Sequence, residues 1–304
     1  MVNRFTKTIR AAAGLLVLGW PILLVAADRF DLEDTLTRLG YEKVELRRTG
    51  DNHLFLFGKV EGRKRSCLVD TGWSFTTVTT NTAARLKETN FIRQLELGRV
   101  VLTNESVVAQ DLRVNGQPTS YDVVLGCDFL LRHHAVLDAA GRRLYLRSTT
   151  LTPPERTELD QAWRAADWGE VELKRYDPLA LTCQAKIHEQ AVELLVDSGA
   201  AWSCLDQKVV ETLNLRAWPT LSRLMGPAAA GPRKFAVTNL KSWQLGSRPM
   251  AETSMAVFSL KEWGLGPEGQ LFKDVGGILG GAELLALRAV LVFDGPKLWL
   301  RNRR

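Results

Sequence analysis

The chain of 304 residues is poor in the residue types that most metal and redox sites need: it has four Cys, four His and four Met. No C-x-x-C pair occurs, which excludes a zinc ribbon or a thioredoxin-type site. No H-E-x-x-H occurs either. His133 and His134 are adjacent, so their side chains diverge, and no metal site is expected. The other two histidines, His53 and His188, fall in predicted strands and read as surface residues. No G-x-S-x-G elbow is present to hold a serine nucleophile. Gly264-x-Gly266-x-x-Gly269 has dinucleotide-binding spacing, but it contains Pro267 and no helix pattern follows, so it reads as a loop. No cofactor is expected. The net charge is +6, and half of it lies in the first 27 residues. No basic stripe with interleaved aromatics exists, so nucleic acid is not an expected partner. Cys67, Cys127, Cys183 and Cys204 fall two to each half of the chain. After export they can pair within halves, or they can act as small buried apolar residues; the sequence leaves both open.

The N-terminus has the form of a targeting segment. Arg4, Lys7 and Arg10 precede an apolar stretch over 11–27, and Val25-Ala26-Ala27 supplies a small-residue cleavage pattern. The reading is a cleaved signal peptide over 1–27 and an exported mature chain, periplasmic or secreted, beginning at Asp28. The alternative is an uncleaved anchor, for which a stretch interrupted by Pro21 is of marginal length. Only that alternative gives the protein a stable membrane partner.

The rest of the chain repeats itself. An offset of 127 residues carries Val44-Glu45-Leu46-Arg47-Arg48 onto Val171-Glu172-Leu173-Lys174-Arg175. It also carries Cys67-Leu68-Val69-Asp70-Thr71-Gly72 onto Leu194-Leu195-Val196-Asp197-Ser198-Gly199, and Phe75 onto Trp202. Downstream the offset widens to 148 at Leu97-Gly98 and Leu245-Gly246. It reaches 154 at Val124-Leu125-Gly126 and Ile278-Leu279-Gly280, so the second half carries 21 and then 6 extra residues. Each half reads as a short helix (31–39, 155–166), alternating strands, an Asp-containing strand, a second short helix (81–89, 206–213), further strands and a closing hairpin at Gly141 or Gly295. Two mostly-β lobes follow, residues 28–147 and 155–304, joined by a linker over 148–154 that ends in Pro153-Pro154, which breaks regular structure and is expected to start the next helix.

Two apolar strands that each end in Asp-(Thr or Ser)-Gly can bring Asp70 and Asp197 together across a pseudo-twofold axis. Two carboxylates a few ångströms apart cannot both ionise cheaply, so the pair holds one proton; aspartic proteases are the standing example of this behaviour. The ionised Asp can then activate a water while the protonated one donates to a scissile carbonyl. Gly72 and Gly199 allow backbone N–H groups close to the carboxylates. Thr71 and Ser198 can hydrogen-bond between the lobes.

These strings, "LVDTGWS" with "VVLGCDFL" and "LVDSGAAWS" with "GGILGGAELL", resemble the retropepsin-like aspartic proteases over residues 40–301. The resemblance implies a mostly-β fold of two retropepsin-like acid-protease lobes with short helices, fused as an internal pseudo-dimer and functioning as a monomer. It implies an aspartic endopeptidase acting on polypeptide, with Asp70 and Asp197 catalytic and Thr71, Gly72, Ser198 and Gly199 supporting the active loops. It also implies a flap, which the 21-residue insertion places in the second lobe: Gly226, Ala229 and Gly231 at a hairpin tip, then a strand over 234–240. The short span 88–94 leaves little room for one in the first lobe. Trp73 departs from the family, where a small residue such as Ala200 is usual. It can line a substrate pocket, fill a core gap, or block the cleft. The alternative function is therefore a catalytically inactive peptide-binding module on the same fold.

Overall fold

The computed structural model describes residues 30–86, 90–114, 117–176, 179–224, 233–262 and 274–301. The 1–27 segment, the Gly264–Gly269 spacing and the hairpin-tip residues Gly226, Ala229 and Gly231 lie outside these. The first half runs α1 (Leu32–Arg38), β1 (Glu42–Glu45), β2 (Arg47–Arg48), β3 (Leu54–Val60), β4 (Arg63–Val69), β5 (Thr77–Thr79), α2 (Thr80–Ala83), β6 (Phe91–Leu97), β7 (Val100–Ser106), β8 (Val108–Gln110), β9 (Arg113–Val114), β10 (Gln117–Pro118), β11 (Val123–Leu125), α3 (Cys127–Arg132), β12 (Val136–Asp138) and β13 (Arg143–Leu146). The second runs α4 (Pro153–Ala165), β14 (Trp168–Glu172), β15 (Lys174–Tyr176), β16 (Ala180–Ile187), β17 (Gln190–Asp197), β18 (Cys204–Asp206), α5 (Gln207–Thr212), β19 (Ala217–Leu224), β20 (Arg233–Leu240), β21 (Trp243–Leu245), β22 (Arg248–Met250), β23 (Thr253–Phe258), β24 (Gly277–Gly280), α6 (Gly281–Ala286), β25 (Val290–Val292) and β26 (Lys297–Arg301). The protein is mostly β, as the alternation of apolar and polar residues requires.

Each half builds one large sheet, and the two sheets share a strand order. The first is β7-β6-β3-β4-β11-β5-β8; the second contains β22-β21-β16-β17-β24-β18-β23, extended by β20 and β19. In both, the Asp-bearing strand lies parallel to the strand ending in Leu-Gly. Cys67–Val69 pairs with Val123–Leu125, and Leu194–Asp197 pairs with Gly277–Gly280. Hairpin β19–β20 is antiparallel, shifts register between Pro219 and Arg223, and docks through Ala236–Leu240 on β23. In the first half no hairpin stands between α2 and β6 among the described residues, and α2 is shorter than its expected 81–89 span.

A third sheet, β1-β13-β12-β25-β26-β14, draws strands from both halves. Its seam is antiparallel: Val136 faces Val292, Leu137 faces Leu291 and Asp138 faces Val290. Helices α1 and α4 cover it. Trp163 of α4 stacks on Trp299 at 5.5 Å and 11°, with Phe30 and Trp168 at its edges. Around them Leu36, Tyr145, Val290 and Leu159 form a buried layer that neither half owns. Helix α4 begins at Pro153, inside the expected 148–154 linker, because Thr152 and Glu155 form a capping box and proline suits the first helical turn. Asp294 pins the connection by accepting from Thr150 Oγ1 (2.9 Å) and Arg156 Nη2 (2.7 Å).

All four cysteines are buried free thiols, so the expectation of small apolar fillers describes them and the pairing alternative does not. Burial pushes Cys67, Cys127 and Cys183 up to about 12, which keeps them neutral.

The shared layer makes the halves interdependent. Trp163→Ala is expected to cost about 3–5 kcal/mol and to lower a single unfolding transition in a denaturant titration. Two separate transitions, with only one of them shifted, would contradict a common core.

Candidate active site

The two Asp-containing loops meet where β4 and β17 end. Each carboxylate reaches the opposite loop, Asp197 against Gly72 and Asp70 against Gly199, so the two act on one another's ionisation. Each carboxylate is held from its own loop. Asp70 Oδ1 accepts from Gly72 N–H at 3.0 Å and Trp73 N–H at 3.1 Å. Asp197 Oδ1 accepts from Gly199 N–H at 2.8 Å and Ala200 N–H at 3.1 Å. The glycines are required by space as well: a Cβ on Gly72 would collide with the Asp197 carboxylate, and one on Gly199 with that of Asp70.

Thr71 and Ser198 exchange hydrogen bonds across the seam. Thr71 N–H donates to Ser198 Oγ (3.1 Å) and Ser198 N–H to Thr71 Oγ1 (2.9 Å). Each hydroxyl then donates to the opposite strand, Thr71 Oγ1 to Val196 O (2.7 Å) and Ser198 Oγ to Val69 O (2.9 Å). Both residues are at most 1% exposed, so four polar groups are satisfied reciprocally out of water. Serine serves as well as threonine because only the hydroxyl is used.

A second set of contacts supports each loop and was not read from the sequence. Asp128 accepts from Thr76 N–H (2.6 Å) and Thr76 Oγ1 (2.7 Å). In the other half Glu283 accepts from Ser203 N–H (3.1 Å) and from the Ser203 hydroxyl. The signal was present, since the 127-residue offset maps Thr76 onto Ser203. The Leu-Gly motifs explain themselves here too. Gly126 lies under Trp73 O and Phe75, and Gly280 under Trp202, where a Cβ would meet backbone at 2.7 and 2.5 Å.

Trp73 turns toward its own half. Its Nε1–H donates to Thr77 Oγ1 at 2.8 Å, and its ring packs with Leu68, Leu112, Val124 and Tyr121. Ala200, at the corresponding place, joins Leu195, Ala256, Phe235 and Phe258.

His53 departs from its expected place. It lies in the turn before β3, half-buried, near enough to Asp197 for its charge to act on that carboxylate. Its neighbour Asn52 donates from Nδ2 to Ala201 O (3.3 Å), so this turn of the first half touches the second half's active loop. His188 is an exposed turn residue, not a strand residue. His133 and His134 diverge as expected, toward Glu105 and Asp294. Among the described residues no group of His, Cys, Asp and Glu side chains could hold a metal.

Burial raises the pKa of both aspartates. Asp70 is driven well above the usual carboxylate range, first by burial and then by the charge of Asp197. Asp197 is raised by burial, an effect opposed by Asp70, the loop amides and His53. Both shifts have the same direction, so the pair favours holding one proton between its two carboxylates. Such a pair can activate a water with one acid while the other protonates a carbonyl oxygen.

Residues 183–281 match the family described as Aspartyl protease. Among solved structures, a retropepsin-like aspartic protease from Rickettsia conorii is similar at 19% identity and a TM-score of 0.32, covering 44% of this chain and 90% of that one. A search of curated proteins gives no significant match. Within this chain the likeness to aspartyl proteases is carried by residues 183–281, which include Asp197-Ser198-Gly199 and Leu279-Gly280.

The raised pKa values set a pH-dependent stability. An unfolded Asp ionises near ~3.9. Above that pH the folded state resists ionising the buried pair and stability is lost; below it both states are protonated and the difference vanishes. Asp70→Asn is thus expected to raise the melting temperature at pH 7 by a few degrees, and the gain should fade toward pH 3. A variant that melts lower than wild type at pH 7 would contradict this electrostatic reading.

Proposed function

We propose that the protein is an aspartic endopeptidase in which Asp70 and Asp197 form one catalytic dyad. The observation that carries this reading is the pair of facing carboxylates, Asp70 buried and Asp197 half-buried, each held by two loop amides beside the Thr71–Ser198 exchange. One aspartate acts as general base on a water, and its attack on the scissile carbonyl is assisted by the proton held on the other. The proton taken up then passes to the leaving amine. The residues that would do this come from this one chain, and no covalent intermediate is involved.

The reading includes an internal duplication. Residues 28–147 and 155–304 are two retropepsin-like lobes that act as a pseudo-dimer, so a monomer carries the whole site. The shared strand order of the two large sheets supports this. Hairpin β19–β20 serves as a flap over the cleft, contributed by the second lobe alone, with Gly226, Ala229 and Gly231 at its tip. Trp73 lines a substrate pocket, a role supported by its turn toward Leu68, Leu112 and Tyr121. Residues 1–27 export the protein as a cleaved signal peptide, so that it acts on polypeptide outside the cytoplasm. Among the described residues no helix is long and apolar enough to cross a membrane.

The test uses the mature protein with unstructured peptides between pH 3 and 7. Asp70→Asn and Asp197→Asn are each expected to lower the cleavage rate by about two to four orders of magnitude. Cleavage that survives either substitution would overturn the dyad, and peptide binding without turnover in wild type would favour a non-catalytic module.

A further inference from the structure

Among the described residues the first half has no counterpart of hairpin β19–β20, yet the outward face of its large sheet is not bare. A line of aromatic rings runs along it from the active loops. His53, beside Asp197, meets Tyr121 at 6.2 Å between ring centres. Tyr121 also packs in the Trp73 cluster and meets Phe55 at 6.0 Å, and Phe55 meets Phe57 edge-on at 5.7 Å. Strand alternation puts Phe55 and Phe57 on the same outward face of β3, while Leu54, Leu56 and Gly58 point into the core.

The far end is hydrophobic and cationic at once. Phe57 is 43% exposed. Arg47 lies over its ring at 5.2 Å and Lys64 at 4.5 Å, one from each neighbouring strand. Both cations are exposed and, among the described residues, neither is in an ion pair. The next cation along, Lys59, is already neutralised by Glu96 at 2.7 Å. The two cations stabilise the exposed ring through its π face, and they leave an exposed aromatic flanked by two unpaired positive charges and joined ring by ring to the cleft. Phe55 and Tyr121 are half-buried and Phe57 is exposed, so the line keeps an accessible edge.

We propose that this face is an extension of the substrate cleft, binding a stretch of polypeptide that presents apolar side chains to the Tyr121–Phe55–Phe57 line and a carboxylate to Arg47 and Lys64. The assignment rests on the endopeptidase reading for what happens at the dyad, but the binding it describes stands without turnover. From His53 to Phe57 the strand advances roughly 13 Å, about four residues of an extended substrate. An acidic group some four to six residues from the scissile bond therefore reaches the cations. The preferred substrates are apolar segments flanked at that distance by aspartate, glutamate or a chain terminus.

The experiment compares fluorescent peptides that share one apolar core and carry either Glu-Glu or Lys-Lys at one end, with the pair placed N-terminally in one set and C-terminally in another. Binding to the full-length mature protein is read by anisotropy at low salt, and cleavage is read in parallel. In one of the two sets, the acid-tailed peptide should bind about tenfold more tightly than its lysine twin, the size expected from two exposed charge contacts. The double variant Arg47→Glu/Lys64→Glu should invert that order and leave the melting temperature unchanged. Equal binding of both tails in both sets, no binding of either, or a preference that survives the double variant would each overturn the extended site. A preference in binding without any cleavage keeps the site and removes the endopeptidase reading. Cleavage without a preference does the reverse.

Discussion

The structure depends on a reciprocal exchange of two hydroxyls. Thr71 and Ser198 each accept from the other's backbone amide and donate to the other's strand. A half-satisfied set of this kind would leave buried donors and acceptors unpaired, at a cost of about 1–3 kcal/mol each. The exchange therefore works as a register: the two Asp-bearing strands end at one place and in one relative orientation. Only then do Gly72 and Gly199 come so close to the opposite carboxylates that a methyl group would not fit. The raised pKa values follow from that placement, since two carboxylates forced together out of water cannot both stay charged.

The two halves share strand order around the dyad and diverge at its margins. The second half adds β19–β20, docked on β23, and keeps the small Ala200 after its Asp-Ser-Gly. The first half has no such hairpin among its described residues, and places Trp73, Tyr121, Phe55 and Phe57 beside and beyond its carboxylate. A site assembled from two identical subunits would be symmetric by necessity. Within one chain, each half is free to differ at its margins, as the added hairpin in one and the aromatic line in the other show. The shared sheet with Trp163 and Trp299 keeps this asymmetric pair from separating.

Much of this was legible in the sequence because repetition is a long-range signal in a one-dimensional string. The 127-residue offset put Asp70 against Asp197 and Thr71 against Ser198, and the structure brings these residues together. The 21-residue insertion located the second half's extra hairpin, although β20 begins one residue earlier, at Arg233. What escaped the reading depends on contacts between segments with no shared pattern. The six-stranded seam pairs β12 with β25, and no sequence period says that two closing hairpins will join. Asn52 and His53 reach the other half because a left-handed residue (Asn52, φ 66°) turns the chain just before β3, and strand alternation alone put His53 on the surface. Helix α4 starts at Pro153, as the Pro153-Pro154 pair implied; the capping box of Thr152 and Glu155 was not read.

The central claim is that Asp70 and Asp197 act as one titrating unit that holds one proton between them. Carboxyl carbon NMR of aspartate-labelled protein, assigned with the two Asp→Asn variants, reads this directly. The account predicts that one carboxyl signal keeps its protonated shift to a pH well above the usual aspartate range, that the other titrates first, and that each titration changes when its partner is replaced. Two independent titrations near ~3.9, unaffected by substitution of the other residue, would contradict it.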